Sequence, residues 1–145
     1  KVVLSWAPHP KALPHAVANS FTEMMLKQNA DFVITHPKGY ELNPEITKDA
    51  KIEYDQFKAL ENADVVYVKN WSSYTDYGKV INQDKNWMMT KEKLGNAKFM
   101  HCLPVRRNVV VEDAVLDSNQ SLVIEQANNR TYSAQIVLKK ILENL

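Results

Sequence analysis

Apolar positions along the chain fall into short continuous runs, separated by longer stretches with a helical repeat. The runs are Val2–Ser5, Phe32–Thr35, Lys51–Tyr54, Val65–Val68, Phe99–Cys102 and Leu122–Glu125. Most are unbroken rather than alternating, which predicts strands covered on both faces, as in a parallel sheet. Between them, Pro14 to Lys27 carries Val17, Phe21, Met24 and Met25 at near-helical spacing. Pro14 suits the opening of that helix, because a first-turn position needs no N–H donor. Asp55 is expected to cap a helix carrying Phe57 and Leu60, and Thr90 a short helix that stops at Gly95. A final helix is expected from Ala127 to Asn144, with Ile136, Leu138, Ile141 and Leu142 on an amphipathic pattern. Strand and helix alternate throughout. The fold class is therefore α/β: one domain over residues 1–145, with an open, mostly parallel sheet between helices in Rossmann-like layers.

Composition narrows the function classes. The 145 residues are 45% apolar and 24% charged, ordinary for a packed domain and unlike a disordered chain. Eighteen Lys and Arg against 17 Asp and Glu leave a net charge of +1, which gives no global attraction to nucleic acid or lipid. One Cys excludes a disulfide framework and a multi-thiolate zinc site. No apolar run approaches the roughly 20 residues of a membrane span. With no export signal and a lone Cys, the expected compartment is the cytoplasm. The chain opens at Lys1 directly on a strand, as a piece of a longer protein would.

None of the three glycines forms a dinucleotide fingerprint or a Walker loop. In an open α/β sheet the ligand sits at strand carboxyl ends. Attention falls on the loops Trp6–Leu13, His36–Tyr40, Lys69–Tyr77, Leu103–Asn108 and Gln126–Arg130. The run His101 to Asn108 places a thiol, a proline and two guanidiniums in succession. Pro104 biases Leu103 to an extended shape with its carbonyl free for a ligand. Paired arginines suit a carboxylate or phosphate. The plainer alternatives are a buried Cys and a solvated Arg pair. His9 lies in a loop stiffened by three prolines, ahead of a helix N-terminus that favours anions. Lys69 ends the strongest strand and can bind an anion, with Trp71 as a wall. A surface Lys beside a core Trp is the bland alternative. Arg130 is expected near the start of the final helix, against the helix dipole, as a ligand-compensated charge would be. Together these loops describe a local positive pocket for a small polyanion or diacid. His101 and Cys102 are adjacent on a strand and point to opposite faces, which argues against a Cys–His dyad.

His101-Cys102-Leu103-Pro104 resembles the signature of the ornithine-type carbamoyltransferases. Its continuation through Arg106, Arg107 and Asn108 is similar to the branch acting on N-acylated ornithines. Trp6 to Ser20, Val66 to Lys69 with Trp71, and Asn129-Arg130 resemble the same branch, in order, over nearly the whole chain. The resemblance implies the acceptor-binding half of such an enzyme, without the N-terminal domain that binds carbamoyl phosphate. It implies transfer of a carbamoyl group from carbamoyl phosphate to the δ-amine of the acceptor, in arginine biosynthesis. It further implies a homotrimer in the full-length protein, small-molecule substrates, and no metal or organic cofactor. By that likeness Cys102, the Leu103 carbonyl and Arg130 face the reacting groups, with Arg130 on the carbamoyl oxygen. Lys69, Arg106 and His9, with Pro104 and Trp71, hold the acceptor.

Where ornithine enzymes carry an Asp for the acceptor's α-ammonium, this chain has Lys69. Like charges repel, so Lys69 fits an acylated, uncharged α-nitrogen. The Lys that some N-acetylornithine enzymes carry after the arginine run is Val110 here, which favours N-succinylornithine. Other readings are a plain ornithine enzyme, a non-catalytic small-anion-binding α/β module, and a receiver-like interaction domain. The last would need acidic strand ends, and these are basic.

Overall fold

The computed structural model describes all residues 1–145. Five strands form one parallel sheet: β1 (Val2–Trp6), β2 (Phe32–Thr35), β3 (Lys51–Glu53), β4 (Val65–Lys69) and β5 (Lys98–Met100). Their spatial order is β3-β2-β1-β4-β5. Both faces are covered, as the continuous apolar runs require. Val3, Val33, Val66, Val68 and Phe99 point into one core; Leu4, Trp6, Ile34, Tyr67 and Trp71 point into the other. This is the two-residue period of a strand resolved onto two layers.

The helices are α1 (Ala16–Leu26), α2 (Pro44–Thr47), α3 (Gln56–Leu60), α4 (Lys91–Leu94), α5 (Asp113–Leu116) and α6 (Val123–Leu142). Asp55 caps α3 by accepting from the N–H groups of Phe57 and Lys58. Thr90 caps α4 and Gly95, at φ 56°, ends it. On α1, Phe21 meets Tyr67 edge-on at 4.5 Å and Phe32 at 5.9 Å.

Three expectations are corrected. Pro14 does not open α1, which starts at Ala16 with His15 as its cap residue. The Leu13 carbonyl accepts from Ser72 N–H at 2.9 Å and the His15 ring contacts the Ser72 carbonyl at 2.7 Å, so the chain is tied down before it can wind. Leu122–Glu125 is not a strand. Phe99 N–H donates to Gln120 O and Leu122 N–H to Phe99 O, each at 2.8 Å, and one bridge at Ser121 is all the sheet gains. Val123 is then buried while Ile124 stays 70% exposed, and α6 takes over. The signal, three apolar residues followed by Glu125, was too short to separate strand from helix. Leu103 is not extended but lies at φ 37°, because its N–H turns back onto the His101 ring at 3.1 Å.

Candidate active site

The chain leaves β1 toward β2 on one side and returns to β4 on the other. Such a switch point opens a crevice at the strand carboxyl ends. Trp6 pairs with Lys69 at the last rung. Ala7 N–H donates to the Lys69 carbonyl at 3.2 Å, and the Asn70 amide donates to the Ala7 carbonyl at 2.7 Å. The two loops that carry His9 and Lys69 are thereby fixed to each other. Beneath them the Trp71 indole donates to the Tyr40 carbonyl at 2.8 Å, and the Trp6 indole to the Trp71 carbonyl at 2.9 Å. Both indoles are fully buried. Trp71 is thus a core residue under the site, and the expected wall is corrected to a floor.

The Arg106 Nε donates to His9 Nε2 at 3.1 Å. A guanidinium cannot accept, so Nε2 carries the lone pair and the His9 proton sits on Nδ1, 2.9 Å from the Lys11 carbonyl. Burial is the main reason His9 has a pKa below the ordinary 6.5, with Arg106, Lys69 and Lys11 adding repulsion. A neutral imidazole therefore orients Arg106 while leaving its terminal nitrogens free. Neither Lys69 nor Arg106 has a carboxylate partner among the ion pairs. Arg107 is different. It holds Asp113 and Asp117 at 2.7 Å, pulling both carboxyls below their usual range. The Arg pair divides into one free cation and one clamp.

The thiol loop has its own support. His101 is 2% exposed, and its Nδ1 accepts from Leu103 N–H. Burial first, then Lys69 and His9, lower its pKa to about 4. The neutral ring thus holds the turn whose Leu103–Pro104 bond is cis. A left-handed backbone is unusual for Leu, and such outliers gather where function fixes them. Cys102, Leu103 and Arg130 line one cleft of about 310 Å³ with Gln126 and Ala127. Pro104 is not in it; it lines a separate hollow with Val105, Leu116 and Val123. Arg130 lies two turns into α6 rather than at its start, which removes the dipole conflict that pointed to it. Its place beside Cys102 remains. Gln126, one turn before Arg130, has a buried Oε1 without a partner and was not singled out by sequence. Val110 is 2% exposed within the apolar core, so no charge occupies that position.

The parallel sheet and its switch point define an α/β domain of the kind that binds small molecules at strand carboxyl ends, here beside two unpaired cations. Residues 14–141 match the family described as aspartate/ornithine carbamoyltransferase, Asp/Orn binding domain. The chain belongs to that family. It is 54% identical to the N-succinylornithine carbamoyltransferase of Bacteroides fragilis (strain 638R), over all of this chain and 47% of that protein. Identity to the N-acetylornithine carbamoyltransferase of Xanthomonas campestris pv. campestris is 29%, over 98% of this chain and 48% of that one. A crystal structure of acetylornithine transcarbamylase complexed with acetylcitrulline superposes with a TM-score of 0.83 at 31% identity, over 89% of this chain and 45% of that chain. The chain spans about half the length of the curated relatives it matches.

Proposed function

We propose that this chain is the acceptor-binding domain, over residues 1–145, of an enzyme that carbamoylates the δ-amine of an N-acylated ornithine, N-succinylornithine before N-acetylornithine. Carbamoyl phosphate is the donor, bound mainly by a preceding domain, and this chain alone is expected to be inactive. The observation that carries the reading is Lys69 at the β4 end, next to the neutral His9 and the free Arg106. That set attracts the acceptor's carboxylates and repels an α-ammonium, which an acyl group abolishes. The 54% identity to an N-succinylornithine enzyme supports the same acceptor.

In the reaction the lone pair of the neutral δ-amine attacks the carbamoyl carbon, the bond to the phosphate oxygen breaks, and the departing phosphate takes up a proton from that nitrogen and leaves as inorganic phosphate. Leu103 offers its carbonyl to an amine N–H, aiming the lone pair. Arg130 meets negative charge growing on the carbamoyl oxygen, the kind of contact worth ~100- to 1,000-fold in rate. Cys102 lines the same cleft. The likeness to the carbamoyltransferases supports reading the full-length protein as a cytoplasmic homotrimer of arginine biosynthesis. No nucleic acid, membrane or cofactor enters the scheme.

The test uses the full-length protein with carbamoyl phosphate and, in turn, ornithine, N-acetylornithine and N-succinylornithine. Phosphate release and the citrulline product are followed. The expected result is turnover of the N-acyl acceptors, fastest with N-succinylornithine. Turnover of ornithine alone contradicts the reading of Lys69, and no turnover with any acceptor favours a binding module without catalysis.

A further inference from the structure

Between β4 and α4 runs a polar segment with only one short 3-10 turn, Lys85–Trp87. A loose surface loop would need no anchors, yet this one has several. The Tyr40 hydroxyl accepts from the N–H groups of Ile81 and Asn82 at 3.1 and 2.9 Å. The Gln56 amide donates to the Trp87 carbonyl at 3.2 Å. The Lys93 ammonium donates to Gln56 Oε1 at 2.8 Å, to the Met88 carbonyl at 3.1 Å and to the Asn86 carbonyl. The segment is held against the proline-stiffened loop after β1, and a cleft of about 240 Å³ lies between them.

The lining of that cleft is chemically two-sided. Pro8, Pro10, Met88 and Val109 supply carbon, while Gln83 and Lys85 supply an amide and an ammonium. His9 forms the shared wall with the Arg106 site. No carboxylate lines it. Asp84, the nearest in sequence, caps the 3-10 turn by accepting from Asn86 N–H at 2.9 Å and acts electrostatically on Lys93. Lys85 makes no ion pair or hydrogen bond of its own, so its charge is uncommitted. A short apolar stem ending in a carboxylate matches this surface; a bare methyl group leaves the ammonium unused.

We propose that Lys85 is a specificity-determining residue: this cleft takes the acyl group of the acceptor, and Lys85 binds its distal carboxylate. The inference rests on the reading of the protein as an N-acylornithine carbamoyltransferase. Lys85 touches neither the transferred carbamoyl group nor the attacking amine, so its contribution belongs to acceptor choice and not to the chemical step.

The experiment compares wild type, Lys85→Ala and Lys85→Arg in the full-length protein, with N-succinylornithine and N-acetylornithine as separate acceptors. Lys85→Ala is expected to lower kcat/KM for N-succinylornithine by about 10- to 100-fold, mostly through KM, as loss of a charged hydrogen bond does. The value for N-acetylornithine should change by less than about 2-fold, consistent with removing an exposed side chain. Lys85→Arg should restore most of the discrimination. Equal losses with both acceptors, or no loss with N-succinylornithine, overturn the assignment of Lys85 while the enzyme itself stands. A wild-type protein that carbamoylates neither N-acyl acceptor overturns the functional reading, and this assignment with it.

Discussion

The two sides of the candidate site are built differently. On one side His9, Lys69 and Arg106 sit over a fully buried indole floor, joined across β1 and β4 by backbone and amide bonds. On the other side Arg130 projects from α6, where Ile136, Leu138 and Ile141 are 61%, 57% and 54% exposed. The first side owes its order to this domain's own core. The second presents a guanidinium on a helix whose apolar stripe is exposed. In the proposed reading, acceptor recognition falls to the first side and the carbamoyl group to the second.

The largest expected effect separates the two sides directly. In the full-length protein, Arg130→Ala should lower kcat by ~100- to 1,000-fold with a small change in acceptor KM, because the guanidinium acts on charge that develops in the transition state. Arg106→Ala should do the reverse, raising acceptor KM by ~10- to 100-fold with the smaller change in kcat. If both substitutions alter the same constant, the division between the sides fails.

Acid should damage the thiol loop next. His101 is held neutral with a pKa near 4, below its ordinary 6.5, so the unfolded chain takes up that proton first as pH falls. The stabilising preference is complete above about pH 6.5 and is lost as pH falls toward 4, amounting to about 3 kcal/mol. A protonated Nδ1 also loses its bond from Leu103 N–H, which loosens the turn beside Cys102. Urea unfolding midpoints between pH 7 and 4 measure this, and His101→Gln should flatten the curve across that window.

The smallest effect belongs to the neighbour of Arg106. Arg107 clamps Asp113 and Asp117 at an exposed position. Arg107→Gln should leave acceptor KM and kcat nearly unchanged and lower the melting temperature only slightly, as exposed ion pairs do. An acceptor KM that rises as much as for Arg106→Ala would show that both arginines serve the ligand.

Legibility in the sequence followed the length of the signal. Val65 to Val68 and Phe32 to Thr35 announced buried strands because continuous apolar runs admit few other environments. Asp55 and Thr90 capped where they should, since a cap is a local interaction. Leu122 to Glu125 failed because four residues fit either period; the chain bridges β5 only at Ser121, and α6 begins at Val123. At the site, Cys102, Leu103 and Arg130 were found by type and motif, and the fold does gather them in one cleft. What stayed hidden was every property set by tertiary neighbours. Trp71 turned inward, Arg107 met two carboxylates, and Lys85 reached a cleft through anchors from Tyr40, Gln56 and Lys93. No local pattern encodes those contacts.

The central claim is that the charge at the end of β4 selects an acceptor without an α-ammonium. The most direct test replaces Lys69→Asp in the full-length protein and measures kcat/KM for N-succinylornithine and for ornithine, with melting curves to verify the fold. The account expects the ratio of the two to fall by ~100-fold or more, since an attractive charge becomes repulsive for one acceptor and the converse holds for the other. A ratio that stays constant in a folded variant would contradict it.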